Sequence, residues 1–292
     1  MKKRNLRNNL TCYGFVTPSL ILLSVFVIAP ILMSFYLSFT KYNGFQAPQW
    51  IGLKNFANAI TDVGVKASLK NTFIFVIVSV PLQLGLSLVI AALLAAKFRN
   101  AFGAFVRSAL FVPVLCSATL IGAIFSFLFA PNAEAFFNSI VISLGFEKIN
   151  WLGSPKTALG TIIFVNTWKS VGYYLVIFYA GIMDIPNDLY EASAIDGATK
   201  LQQFFRITVP NLRTILIMMI IVCTIWSFQV FDLAYIMTEG GPGYSTTSLV
   251  YQIYNQVFRG QNFGYGSAIA VILFVFILVI NLVQRLILRE ED

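Results

Sequence analysis

YEASAIDGATKLQQFFRITVP, Tyr190 to Pro210, decides the fold class by its position. It is the longest stretch in the second half of the chain that reads as water-soluble, and long apolar runs flank it. Its own pattern is legible. Pro186 suits the first turn of a helix, where its missing N–H would be unpaired anyway. Asn187 to Ile195 continues that helix, with Asp188 and Glu191 in the half that favours acids. Asp196-Gly197 stops it. Thr199 and Gln202 fit a capping box that opens a second short helix through Phe205, and Pro210 marks a break. Two short helices joined by a glycine turn thus form a mixed-charge hairpin between apolar segments.

Composition says what those segments are. Of 292 residues, 58% are hydrophobic and 11% charged. Soluble domains run near about 45–50% apolar and about 25% charged. Lipid must therefore be the solvent for much of the chain. A bilayer core of about 30 Å needs roughly 20 apolar residues in helix. Six segments qualify: Cys12–Phe39, Asn71–Ala96, Arg107–Ala130, Thr157–Met183, Arg213–Met237 and Gly266–Leu288. The predicted fold class is all-α, a polytopic membrane protein with six transmembrane helices and a cytoplasmic helix-turn-helix loop at about 184–212. One transmembrane domain spans 1–292. The basic start, Met1-Lys-Lys-Arg, resembles the n-region of a signal peptide, but the apolar run is too long and lacks a small-x-small cleavage site, so it reads as a retained span. Pro81 and Pro113 are expected to kink the second and third spans.

Orientation follows the distribution of Lys and Arg. Lys2, Lys3, Arg4, Arg7, Lys97, Arg99, Arg107, Lys200, Arg206, Arg213, Arg285 and Arg289 fall on one side. Lys41, Lys54, Lys66, Lys70, Lys148, Lys156 and Arg259 fall on the other. The richer side is the cytoplasm, so both termini and the hairpin are expected there. Three external connections result, at about 40–70, 131–156 and 238–265. The second contains EAFFNSIVISLGF, an amphipathic run suited to the membrane interface.

Several chemistries are excluded or unsupported. With no histidine, there is no Ser-His-Asp triad and no HExxH metal site. No GxxxxGK[ST] loop appears, so no P-loop binds ATP on this chain. Three cysteines, Cys12, Cys116 and Cys223, are too scattered for a disulfide framework or zinc site. The net charge of +8 flanks apolar runs instead of forming one stripe, which argues against nucleic acid.

The hairpin carries a resemblance. Glu191-Ala192-Ser193, three residues, Gly197, nine residues, then Ile207-x-Val209-Pro210 is similar to the EAA motif of ABC importer permeases. Ser193 and Val209 stand where that pattern has Ala and Leu. The flanking IPNDLYEASAIDGAT looks like the carbohydrate-permease version. FDLAYIMTEGGPGYSTTSLVYQIYNQVF, Phe231 to Phe258, and WIGLKNF, Trp50 to Phe56, also resemble sugar permeases related to the maltose transporter's larger membrane subunit. Unlike that subunit, this chain has no large external insertion, and it resembles the compact six-span members. The resemblance implies a cell-membrane permease for carbohydrate, an oligosaccharide above all, working by alternating access. Its implied partners are a second permease chain, two ATPase subunits that carry ATP and Mg, and an external solute-binding protein. It implies that Glu191, Ala192, Ser193, Asp196, Gly197, Ile207 and Pro210 couple to the ATPase. This chain itself is expected to bind no cofactor or metal and to be no enzyme.

Polar groups inside spans are candidates for the substrate pathway. Helical spacing puts Asn166, Lys169 and Tyr173 on one face of the fourth span, and Phe228, Gln229, Asp232 and Tyr235 on one face of the fifth. Rings beside amides and carboxylates suit sugars. Lys169 and Asp232 equally fit a structural pair. Gly240, Gly241 and Pro242 in the third external connection fit either a family feature or an ordinary turn. Lys169 also keeps open a permease for glycerol phosphate or another anion. An ATP-independent carrier or channel is the reading outside this class.

Overall fold

The structure, a computed structural model, describes residues 2–288. Arg289 lies outside the described residues, as do the side chains of Lys2, Lys3, Arg4, Arg7 and Cys12. The elements in chain order are α1 (Lys2–Leu23), α2 (Ala29–Ser38), the two-residue strands β1 (Thr40–Lys41) and β2 (Gln49–Trp50), α3 (Lys54–Thr61), α4 (Val63–Lys97), α5 (Ala101–Leu115), α6 (Ala118–Leu128), α7 (Phe136–Ser143), α8 (Ala158–Met183), α9 (Asn187–Ile195), α10 (Lys200–Gln203), α11 (Val209–Asn211), α12 (Arg213–Phe228), α13 (Asp232–Thr238), α14 (Leu249–Tyr254) and α15 (Phe263–Ile287). Among the described residues, four helices are long and apolar enough to cross a bilayer: Tyr13–Ser38, Val63–Lys97, Ala158–Met183 and Phe263–Ile287. Two bent pairs, α5 with α6 at 100° and Lys200–Asn211 with α12 at 73°, raise this to as many as six if each pair is counted as one span.

Two expected spans are therefore not continuous. In the third, the helix passes through Pro113 and ends two residues later at Leu115, so the break is not at the proline. Cys116 and Ser117 are extended, and the Ser117 hydroxyl accepts from Leu120 N–H to start α6 afresh. The fifth stops at Phe228 instead of reaching Met237. Gln229 and Phe231 leave helical geometry, and the Val230 carbonyl is satisfied by the Ser248 hydroxyl at 2.7 Å. An open backbone carbonyl in lipid costs several kcal/mol, roughly, so such breaks need partners of this kind.

α1 and α2 form one helix through a π-helical turn, Ser24–Ile28, and α10 and α11 do the same through Phe204–Thr208. Each wide turn closes with an i to i−5 bond, Ala29 N–H to Ser24 and Val209 N–H to Phe204, immediately before a proline. The wide turn absorbs the donor that Pro30 or Pro210 lacks. Pro210 thus lies inside the second hairpin helix, which continues past Phe205 to Asn211.

The chain divides into two compact units. One holds the chain up to Asp62 with Ile253–Phe274. Within it, Trp50 stacks on Phe39 at 5.4 Å, and Asn55 Nδ2 donates to the carbonyls of Ser38 and Thr40. Gly264 N–H donates to Tyr42, and any Cβ there would strike the Thr40 carbonyl. The other unit holds Val63–Gln252 with the chain from Val275 onward. Its apolar core joins Phe75, Ile121, Phe125, Phe129, Ile162, Val165, Leu233 and Met237 from four helices. Gly172 lets α8 meet α5 backbone to backbone, since a Cβ there would overlap the Leu110 carbonyl. A buried polar row, Ser68, Thr72, Ser79, Gln83 and Ser87, runs along one face of α4. Small and polar residues of this kind hold helices together where lipid gives no hydrophobic driving force.

Candidate coupling hairpin and pathway residues

The hairpin is built from local signals. Pro186 stands one residue before α9, at the N-cap. Asp196 is the C-cap and Gly197 follows at φ +79°. Gly197 N–H donates to Ala194 and Ala198 N–H to Ser193, the paired bonds of a Schellman motif. The Thr199–Gln202 capping box is present in both directions. Side chains then tie the two helices together. Gln203, 4% exposed, donates from Nε2 to the Tyr190 carbonyl at 2.9 Å and to Ser193 Oγ at 2.8 Å. Tyr190 and Thr208 share a hydroxyl bond at 2.9 Å. Ser193, a departure from the motif in sequence, is therefore a cross-link here. Gln203 and Tyr190 were missed from sequence because nothing local marks a contact ten or more residues away.

The hairpin's outer face is unusual for something this polar. Ile195 is 87% exposed, Leu201 68% and Phe205 61%, beside exposed Glu191, Ala192 and Asp196. Ile207 is half-buried and Pro210 exposed. The face thus combines apolar anchors with acids on a stiff frame.

The pathway candidates do not form one cluster. Asn166, Lys169 and Tyr173 share a partly buried face of α8, and the Tyr173 ring lies 5.2 Å from Trp226 on α12. The second group is corrected by the break after Phe228. Phe228 is buried against Phe73, Gln229 is the exposed C-cap of α12, and Asp232 starts α13. They share no helical face. Tyr235 instead stacks with Phe231 at 5.3 Å and meets Tyr251 at 6.1 Å. Among the described residues no ion pair joins Lys169 to Asp232.

A hairpin of this spacing between membrane helices can be compared with known proteins. Residues 71–290 match the family described as binding-protein-dependent transport system inner membrane component. The chain belongs to that family. It is 33% identical to the trehalose/maltose transport system permease protein MalF of Thermococcus litoralis, over 93% of this chain and 91% of that protein. It is 32% identical to the arabinooligosaccharides transport system permease protein AraP of Bacillus subtilis, over 93% and 86%. It is also 32% identical to the sulfoquinovosyl glycerol transport system permease protein SmoG of Agrobacterium fabrum, over 99% and 93%. A crystal structure of a bacterial ABC transporter that imports the acidic polysaccharide alginate has a chain with the same fold, at TM-score 0.86 and 21% identity over 98% of this chain and 97% of that chain.

The permease has a second organised loop that sequence reading treated as a surface connection. Residues 239–248 fold back into the bundle. Gly240 at φ +79° and the cis Gly241-Pro242 bond begin it. Thr247 Oγ1 donates to Gly240, and Thr246 Oγ1 donates to Gly241. Asn71 Nδ2 donates to the carbonyls of Tyr244 and Thr247, and Thr72 Oγ1 accepts from Leu249 N–H. Thr246, Thr247, Ser248 and Leu249 are buried. The permease thus ties the segment after α13 to α4.

Proposed function

We propose that this permease is the membrane-spanning subunit of an ATP-driven importer of carbohydrate, an oligosaccharide above all. The observation that carries the reading is the stiff hairpin with its exposed acid-and-apolar face, on a chain whose near-full-length relatives include permeases named for sugars. On this reading the hairpin faces the cytoplasm, as do both termini. It docks into one of two ATPase subunits, which hold ATP and Mg. A second permease chain completes the pathway, and an external binding protein delivers the sugar. Closure of the ATPases draws the paired hairpins together and opens the pathway outward; hydrolysis reverses this. ATP shifts the equilibrium only if the hairpin makes different contacts in the two states. Glu191 and Gly197 are the contact and the turn that this role needs, with Ala192, Ser193, Asp196, Ile207 and Pro210 shaping the same surface. Asn166, Lys169, Tyr173, Gln229, Asp232 and Tyr235 remain the proposed pathway groups, with Gly240, Gly241 and Pro242 in the outer loop.

The test is native mass spectrometry of the complex purified through a tag on this chain, followed by uptake in proteoliposomes. Two ATPase chains, one different permease, and ATP-dependent sugar uptake are expected. A lone chain that moves solute without ATP would overturn the reading in favour of a carrier or channel. A second reading, an anionic substrate, is favoured by one observation: Lys169 is half-buried in α8 with no carboxylate paired to it among the described residues. Lys169→Gln separates the two. Loss of uptake of an anionic substrate with retained uptake of a neutral one would assign the charge to the ligand.

A further inference from the structure

A cleft of about 430 Å³ opens on the first compact unit. One wall is α3 and its end, which supply Asn55, Asn58, Thr61 and Asp62. The other supplies Gln256, Asn262 and Tyr265. Spacing explains the first wall: Asn55, Asn58 and Asp62 recur at three and four residues, on one side of the helix. The second wall is set by unusual backbone. Gln256 sits in a π-helical turn, Asn255–Arg259, and Gln261 has φ +49°. Asn262 N–H donates to the Gln256 carbonyl at 2.8 Å, which fixes the two residues beside each other. Tyr265 Oη donates to Asp62 Oδ2 at 2.8 Å and links the two walls.

The chemistry of this lining is uniform. Four side-chain amides, two hydroxyls and one carboxylate line it, with no cation and no aliphatic side chain. Amides donate and accept at once, as a sugar hydroxyl does. An anion would find no cationic side chain in that lining. A metal ion would find one carboxylate, and no metal-binding cluster exists among the described residues. Asn55 already spends its Nδ2 on two carbonyls, but the side chains of Asn58 and Gln256 make no hydrogen bond among the described residues. The volume lies within the range of small-ligand sites, roughly 300–1,000 Å³.

We infer that this cleft, formed by α3 and the segment Gln256–Tyr265, is a binding site for a neutral, hydroxyl-rich ligand, a sugar held at the outer face of the permease before it enters the pathway. The inference rests on the carbohydrate reading for the identity of the ligand and on the external placement of residues 40–70 and 238–265. The test uses the full chain in nanodiscs, without binding protein, and the probes are trehalose, maltotriose and arabinotriose, with glycerol 3-phosphate as the anionic control. Binding is read by saturation-transfer NMR titration. The variant is Asn58→Ala with Gln256→Ala, at two side chains that hold nothing else in place. At least one neutral sugar should bind the wild type, and the double variant should weaken it about tenfold, the loss of two ordinary hydrogen bonds. Glycerol 3-phosphate should not compete. Failure of all three sugars to bind, or equal binding by the variant, overturns the site. So does a variant that loses affinity for the binding protein but not for sugar, which would make the cleft a protein contact. ATP-driven uptake by the wild-type complex is measured alongside. Uptake with sugar binding unaltered in the variant sinks the cleft and spares the importer; binding lost in the variant with no uptake by wild type does the reverse.

Discussion

The two ends of the fifth span differ in how they are held. On the N-terminal side of α12, the hairpin of α9 and α10–α11 is bonded almost entirely to itself, by Gln203, Ser193, Tyr190 and Thr208. On its C-terminal side, residues 239–248 are bonded to a helix far away in sequence, through Asn71 and Thr72. The first can move as one piece because its internal bonds travel with it. The second cannot move without breaking its bonds to Asn71 and Thr72. A hairpin bonded to itself on one side and a segment tied to α4 on the other leave α12 bounded by two breaks, at Leu212 and at 229–231.

Two glycines give the sharpest test. Gly197 and Gly240 both have φ +79°. Around Gly197 a Cβ would meet nothing within 4 Å, whereas at Gly240 it would lie 2.6 Å from the Tyr251 ring and 2.9 Å from Thr247 Oγ1. Gly240→Ala should therefore cost the sum of left-handed strain and overpacking, about 3 kcal/mol. Its thermal midpoint in detergent should fall well below wild type; an unchanged midpoint would mean the outer loop is not the anchor described. Asn71→Leu comes next. It leaves two carbonyls without their donor, for roughly 2 kcal/mol. Hydrogen exchange should rise at 244–249 and stay level at 190–208. Gly197→Ala should cost only the backbone strain, about 1 kcal/mol. Equal losses at Gly197 and Gly240 would erase the contrast. Smallest in stability is Glu191→Gln, on an exposed surface, which should shift the midpoint by less than about 0.5 kcal/mol-equivalent. ATP-driven uptake should nonetheless drop severalfold. Unimpaired uptake would remove Glu191 from the docking face.

The same contrast explains what the sequence revealed. The hairpin was legible down to its capping box because its signals are local: Asp196-Gly197, Thr199 with Gln202, and Pro186. Six apolar runs were legible by length alone. The break at 229–231 was not, because Gln229, Val230 and Phe231 include no residue that forbids helix. It is held because the Ser248 hydroxyl donates to the Val230 carbonyl, and nothing near Val230 announces that. The face assigned to Phe228, Gln229, Asp232 and Tyr235 failed for this reason. Ser117 was a readable N-cap inside the third run, but its apolar neighbours masked it. Asn71 and Thr72 owe their places to contacts across 170 or so residues of chain, beyond any periodicity.

The turn at Phe204–Thr208 has a geometric consequence. A π-helical turn carries one residue more than its α-helical neighbours, and one residue corresponds to about 100° of rotation and about 1.5 Å of advance. Upstream of that surplus residue, the exposed face with Leu201 is clocked about a quarter-turn from where an unbroken α-helix ending at Asn211 would set it. The screw thread of this short helix has slack built in just ahead of Pro210. Taking up the slack would twist the exposed face against α12 while leaving every bond within the Thr199–Gln202 cap untouched.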